Sequence, residues 1–272
     1  MPEIPLLLIA ELLALGCVVG FLAGLLGVGG GMMLVPVLTF ILSQRGIDGD
    51  VAVKMAIATS MATILFTSAS SVRAHHAMGF VRWDLVWRLA PGIVAGGLLA
   101  GAGAFSVLKG QWLAFCFAGF IGWMAIKLLR GKRPRPGRTL PGTAGVLAVG
   151  TGIGFFSGLV GAGGAFMSVP FMTRCNVPPR EAVGTSAALG FPIAAAATAG
   201  YMIAGWNITP TLPGALAYLY VPGLLIISAA SMTFAPLGAR TAQRIDERLL
   251  SRMFAVLLMG LSASMLAQAL RG

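Results

Sequence analysis

Apolar residues run in long blocks along this chain, and charged residues mark where the blocks end. Four charge-free intervals, Met55–Val72, Leu89–Leu108, Gln111–Ile126 and Met253–Leu270, have the length of one membrane crossing, for which roughly 20 apolar residues suffice. The interval Val183–Ala239 is too long for a single crossing. It divides at "GWNITPTLP" (Gly205–Pro213), whose asparagine and two prolines read as a loop. Two further intervals, Leu12–Gln44 and Thr139–Thr173, hold 33 and 35 residues. Each is too long for one helix and too short for two full ones, so each reads as a full span followed by a half-helix. The pattern predicts ten segments, near 4–27, 31–43, 52–72, 85–108, 111–130, 142–161, 165–174, 182–204, 214–238 and 248–270.

The two odd intervals share a motif. "GFLAGLLGVGGGMMLVP" at Gly20–Pro36 returns as "GFFSGLVGAGGAFMSVP" at Gly154–Pro170. A shift of 134 residues aligns Gly20–Leu38 with Gly154–Met172 without a gap, and ten of the 19 positions are identical. A second block pairs Ala56–Ala62 with Ala182–Ala188 at an offset of 126, keeping Thr59–Ser60 against Thr185–Ser186. The chain therefore reads as two homologous halves, 1–130 and 142–272, joined by a basic linker at 131–141. Five segments per half is an odd number, so the second half enters the membrane from the opposite side, which predicts an inverted repeat.

Charge supports that arrangement. With the linker on the cytoplasmic side, 15 of the 19 basic residues fall in inside loops, and Arg45, Lys54, Lys109 and Arg271 fall outside, as the positive-inside rule expects. Both termini then face outward. Only 10% of residues are charged and 57% are hydrophobic, against about 25% charged in a soluble domain, so the expected class is an all-α integral membrane protein. The net charge of +11 is read as orientation in the lipid bilayer, and nucleic acid is not an expected partner. Cys17, Cys116 and Cys175 stand singly, and His75–His76 has no ligand cluster around it. No metal site, catalytic constellation or cofactor is expected. The start of the chain lacks a basic n-region and does not read as a cleavable signal peptide.

Opening a helix within a bilayer strands backbone N–H and C=O groups, so such breaks persist only where protein or a wet cavity surrounds them. Gly27, Gly29, Gly30 and Gly31 in the first half, and Gly161, Gly163 and Gly164 in the second, are the candidate breaks. Each would bring bare amides and the positive end of a half-helix to a guest. The hydroxyls of Thr59, Ser60, Thr185 and Ser186 are candidate donors to an oxyanion. Interior carboxylates are nearly absent, which favours an anion over a cation. Glu11 is either an interfacial carboxylate or a proton-coupling group. The spaced glycines Gly16, Gly20, Gly24, Gly150, Gly154 and Gly158 follow the small-xxx-small pattern of close helix packing.

The duplicated glycine motif with its following proline, and the Thr-Ser pair in the third helix, resemble the sulfite exporter TauE/SafE family over nearly the whole chain. The matching positions are Gly24, Gly27, Gly29, Gly30, Gly31 and Pro36, while Ala165 departs from the third consecutive glycine in the second half. The resemblance implies a secondary transporter of small sulfur-containing oxyanions or organosulfonates, such as sulfite or sulfoacetate, in the bacterial inner membrane. Alternating access around the glycine breaks would drive it, powered by a proton gradient or by the substrate's own gradient. The sequence contains no Walker A motif. An anion channel and a non-transporting membrane scaffold remain the alternatives.

Overall fold

In the computed structural model, residues 5–26, 30–130, 137, 139–208, 212–242 and 247–271 are described. They form ten helices: α1 Leu6–Leu26, α2 Gly31–Gln44, α3 Gly49–Ala77, α4 Trp83–Val107, α5 Gly110–Leu129, α6 Thr143–Val160, α7 Ala165–Arg174, α8 Pro179–Ala204, α9 Val221–Ala242 and α10 Glu247–Arg271. Eight are long and apolar enough to cross a membrane, and the chain is an all-α integral membrane protein. The exceptions are α2, with 14 residues, and α7, with 10. At 1.5 Å per residue they reach only about 21 and about 15 Å, short of a hydrocarbon core about 30 Å thick. These are the half-helices expected after each glycine motif.

Several boundaries depart from the sequence pattern. Helix α3 extends past both ends of its charge-free core, starting beside Asp48, whose side chain accepts a hydrogen bond from Asp50 N–H, and ending before Gly79 in the left-handed region. Charged residues at its two ends did not end the helix, because a 29-residue helix outruns the bilayer and carries them clear of it. The ninth segment, expected as helix from 214, instead begins with a hairpin. Strand β1 (Ala215–Leu216) pairs antiparallel with β2 (Leu219–Tyr220). Gly214 and Ala217 both take positive φ there, delaying the helix to Val221. Helix α4 contains a π-helical turn over Leu99–Ala104.

Helix α1 packs against α9, α4 against α6, α3 against α8 and α5 against α10. Exchanging the two halves maps this set of pairs onto itself. The spaced glycines make two of these contacts close. A methyl group added at Gly20 would lie 2.5 Å from the Ser231 Cα, and one at Gly150 would lie 2.7 Å from the Leu89 carbonyl. Neither could be relieved by rotating a side chain, so both positions are closed to larger residues.

The direction of the central pair is fixed by two hydrogen bonds. Tyr220 N–H, in the loop after α8, donates to Thr59 Oγ1 in the first half of α3 at 3.0 Å. Arg82 N–H, in the loop after α3, donates to Thr185 Oγ1 near the start of α8 at 2.9 Å. Each helix thus begins where the other ends, and α3 and α8 run antiparallel. Similarly, Gln111 at the start of α5 donates from Nε2 to the Ala269 carbonyl near the end of α10.

Candidate functional site

The start of α2 lies against the end of α6, where a Cβ built at Gly31 would come within 2.7 Å of the Gly161 carbonyl oxygen. At the second break, Gly161 ends α6 and Gly164 precedes α7, both with positive φ of 70° and 73°. That conformation costs a residue with a Cβ roughly 1–2 kcal/mol, which explains glycine at these two positions. No side chain caps the N-terminus of α2 or of α7. The amides of Met33 and Met167 turn back to the carbonyls of Gly30 and Gly164, so the first two amides of each helix are the ones open to a guest, each end carrying roughly half a positive charge. Ser60, fully buried, lies between the breaks, its Oγ 3.2 Å from the Gly31 carbonyl and 3.3 Å from the Gly161 carbonyl. One hydroxyl on α3 therefore joins the two glycine stretches, 29 residues from one and 101 from the other in sequence.

Beside this junction lies a cavity of about 520 Å³. Gly30 and Gly31 contribute from the first break, and Gly163 and Ala165 from the second. Helix α3 presents Thr63, Thr67, Ser68, Ser70, Ser71 and His75 along one face, while Ser186 enters from α8 and Ser231 from α9. The cavity extends along α3 to Met78, just past the helix end. No aspartate or glutamate is among its described lining residues. Most lining hydroxyls are already engaged. Thr63 donates to the Thr59 carbonyl, Ser68 to the Leu65 carbonyl and Ser231 to the Gly16 carbonyl. Ser186 pairs with Ser168 at 2.7 Å. These hydroxyls still offer lone pairs, but the donors available at the inner end of the cavity are chiefly backbone amides.

The residues singled out from the sequence divide accordingly. Gly30, Gly31, Gly163 and Ser186 line the cavity. Ser60, Gly161 and Gly164 form the frame immediately behind it. Thr59 and Thr185 do not reach it, because each accepts a backbone N–H from the loop before a helix of the other half. Gly27 and Gly29 lie outside the described residues. Glu11 pairs with Arg45 at 2.9 Å where α1 and α2 meet, away from the cavity. The α3 face escaped the sequence reading although its signal was there: Ser60, Thr63, Thr67, Ser71 and Ala74 recur at helical spacing.

The opposite end is sealed. Tyr201, fully buried, donates its hydroxyl to the Gly158 carbonyl and packs, tilted by 41°, against Phe105 at 4.3 Å between ring centres; Phe105 in turn meets Tyr218 edge-on at 5.3 Å. Lys54 was expected in an outer loop. It is instead buried on α3, with Nζ 5.8 Å from the Phe105 ring centre and 5.5 Å from that of Tyr218. Cation–π attraction to the two rings gives this ammonium partners that the charge-gap pattern could not supply. On the cavity's open side, Arg82 binds Asp84 at 2.8 Å and Glu181 at 3.4 Å, tying the α3–α4 loop to α8. Its hydrogen bonds to Asp84, the leading cause, raise the guanidinium's pKa above its ordinary value.

Comparison with known proteins agrees with this architecture. The sequence profile of the sulfite exporter TauE/SafE family matches residues 12–265. A probable membrane transporter protein of Haemophilus influenzae is 31% identical over 256 residues, covering 93% of this chain and 96% of that protein. A probable membrane transporter protein of Methanocaldococcus jannaschii is 27% identical over 268 residues, covering 93% of each chain. One from Bacillus subtilis is 28% identical over 216 residues, covering 71% of this chain and 78% of that protein. No solved structure matches the chain. With nearly its whole length matched, this chain belongs to the sulfite exporter TauE/SafE family.

Proposed function

We propose that the protein is a secondary carrier for small sulfur-containing oxyanions or organosulfonates, of which sulfite and sulfoacetate are representative. The anion sits where the two glycine breaks meet. The observation that carries this reading is the cavity itself: two uncapped half-helix N-termini reach one space whose described lining residues include no carboxylate. An anion gains there from both helix ends and meets no competing negative charge. The volume, about 520 Å³, lies within the range of about 300–1,000 Å³ usual for small-molecule sites. It leaves room for an organosulfonate or a hydrated oxyanion.

Alternating access follows from the asymmetry of the two ends. At the offset of 126 that aligns the Thr-Ser pairs, His75 on α3 corresponds to Tyr201 on α8. His75 borders the open cavity, while Tyr201 is locked against Gly158 and Phe105. Two inverted halves exchanging these environments would close one end and open the other. The equivalent pairing of helices and the antiparallel course of α3 and α8 support that arrangement. On this reading the open end faces the cytoplasmic side of the bacterial inner membrane and both termini lie outside, which the basic residues of the loops support. The sealed aromatic end favours a carrier over a channel.

Reconstitution in proteoliposomes tests this reading. Uptake of sulfite, sulfate, thiosulfate, sulfoacetate and taurine is measured with and without a pH gradient. A carrier saturates and is accelerated by unlabelled substrate on the opposite side. A channel shows neither behaviour, and no saturable response to any of the oxyanions would defeat the substrate class.

A further inference from the structure

Among the described residues lining the cavity, His75 is the one ionisable side chain. Its Nδ1 is shielded from solvent and has no hydrogen-bond partner. An unpaired buried polar atom costs about 1–3 kcal/mol, and a guest with oxygen acceptors would remove that cost if the nitrogen carried a proton. The neighbouring His76 is different: it is exposed, and its Nδ1 accepts from Trp83 Nε1 at 3.2 Å. Among the described side chains, no charged group lines the cavity from α1, α2, α7, α8 or α9. On α3 itself, Arg73 and His76 flank His75 and point to solvent. His75 also lies in the last turn of α3.

We propose that His75 is the proton-binding group of this carrier, so that an anion and a proton occupy the cavity together. The inference rests on the anion-carrier reading above. The half-helix ends supply only partial positive charge, whereas a protonated imidazole supplies a full unit and two N–H donors. The proton is taken from water on the open side, stays on the imidazole while the anion is occluded, and returns to water where the anion leaves. One proton moves with each anion, and no bond to the substrate forms or breaks. Histidine suits this task because its ordinary titration lies near pH 6.5, within the physiological range.

Calorimetric binding to the purified full-length protein tests the proposal. The probes are sulfoacetate and methanesulfonate, whose own charges stay constant between about pH 6 and about pH 8, the interval in which histidine changes charge. Two buffers of different ionisation enthalpy report proton uptake. Wild type is expected to take up protons with the anion, and its apparent Kd weakens by up to about tenfold per pH unit above the histidine titration. His75→Gln takes up none and binds with a flat pH profile. His75→Lys, with a fixed charge, binds without proton uptake and stays tight at the higher pH, a readout that a merely structural role for His75 would not give. His76→Gln behaves as wild type. Unchanged proton uptake and pH slope in His75→Gln, or anion binding by wild type with no proton uptake, would overturn the inference while leaving the carrier reading intact. No binding of either probe by wild type would defeat both.

Discussion

A methyl group added at Gly31 tests whether the two glycine breaks truly abut. Built on the observed backbone, the new Cβ lies 2.7 Å from the Gly161 carbonyl oxygen, 2.8 Å from Ile64 Cδ1 and 3.2 Å from Ser60 Oγ. Ile64 can rotate away. The Gly161 carbonyl cannot, because its residue is held in the left-handed region and Ser60 binds the same oxygen. Overpacking against a fixed group costs about 1–3 kcal/mol. Helix propensity acts the other way, since alanine is favoured over glycine within a helix by about 1 kcal/mol. Gly31 is the first residue of α2, where that gain is smaller, so Gly31→Ala is expected to lose about 1–2 kcal/mol net. Unfolding in mixed micelles by increasing SDS measures this directly, with substrate uptake followed in parallel. The second half already carries alanine at the matching position, Ala165, so Ala165→Gly serves as the reciprocal control. Were Gly31→Ala as stable as wild type or more stable, propensity alone would explain the site and the contact between the breaks would be refuted.

Other substitutions separate framework from cavity. Ser60→Ala removes the hydroxyl shared by Gly31 and Gly161 and is expected to cost about 1–3 kcal/mol, read by the same unfolding assay. Thr59→Val strands the Tyr220 N–H in a buried setting and costs about 1–3 kcal/mol, yet leaves the substrate Kd unchanged, since Thr59 does not line the cavity. Glu11→Gln breaks a partly exposed ion pair with Arg45. Stability should change by no more than about 1 kcal/mol and the pH dependence of uptake should be unaltered, which would exclude Glu11 as the proton-coupling group. Lys54→Met replaces a buried ammonium with an apolar chain of similar volume. Because burying a charge is costly, stability should hold or rise, by up to about 4 kcal/mol if the pattern for buried ion pairs applies, while Lys54→Ala should lose stability through the emptied space.

The membrane architecture was legible because burial in lipid leaves little freedom: uninterrupted apolar runs must be helices, and charges mark their ends. The half-helices followed from the length of two intervals and from glycines that no continuous span needs. What the pattern missed was decided by tertiary contacts. Lys54 reads as an outer-loop charge until Phe105 and Tyr218, far away in sequence, are seen to close over it. Thr59 and Thr185 recur in both halves because each holds a backbone N–H from across the repeat, and recurrence alone could not separate that role from ligand binding. The hairpin before α9 depends on left-handed backbone at Ala217, which composition gives no reason to expect. In the sequence His75 and His76 stand together with no ligand cluster around them, and only the fold shows that His75 faces the cavity while His76 faces Trp83.

Under the proposed function the anion occupies the space between the breaks. Ala187 on α8 lines that space and is only half-buried, so Ala187→Phe fills the cavity from a wall that tolerates a larger side chain. Equilibrium binding of radiolabelled sulfite and sulfoacetate is then compared between wild type and this variant, after gel filtration and unfolding show both to be folded alike. Saturable binding to wild type and its loss, by at least about a hundredfold in Kd (roughly 2.7 kcal/mol), in Ala187→Phe is the predicted result. Undiminished binding by the filled variant would contradict the account and place the anion elsewhere in the molecule.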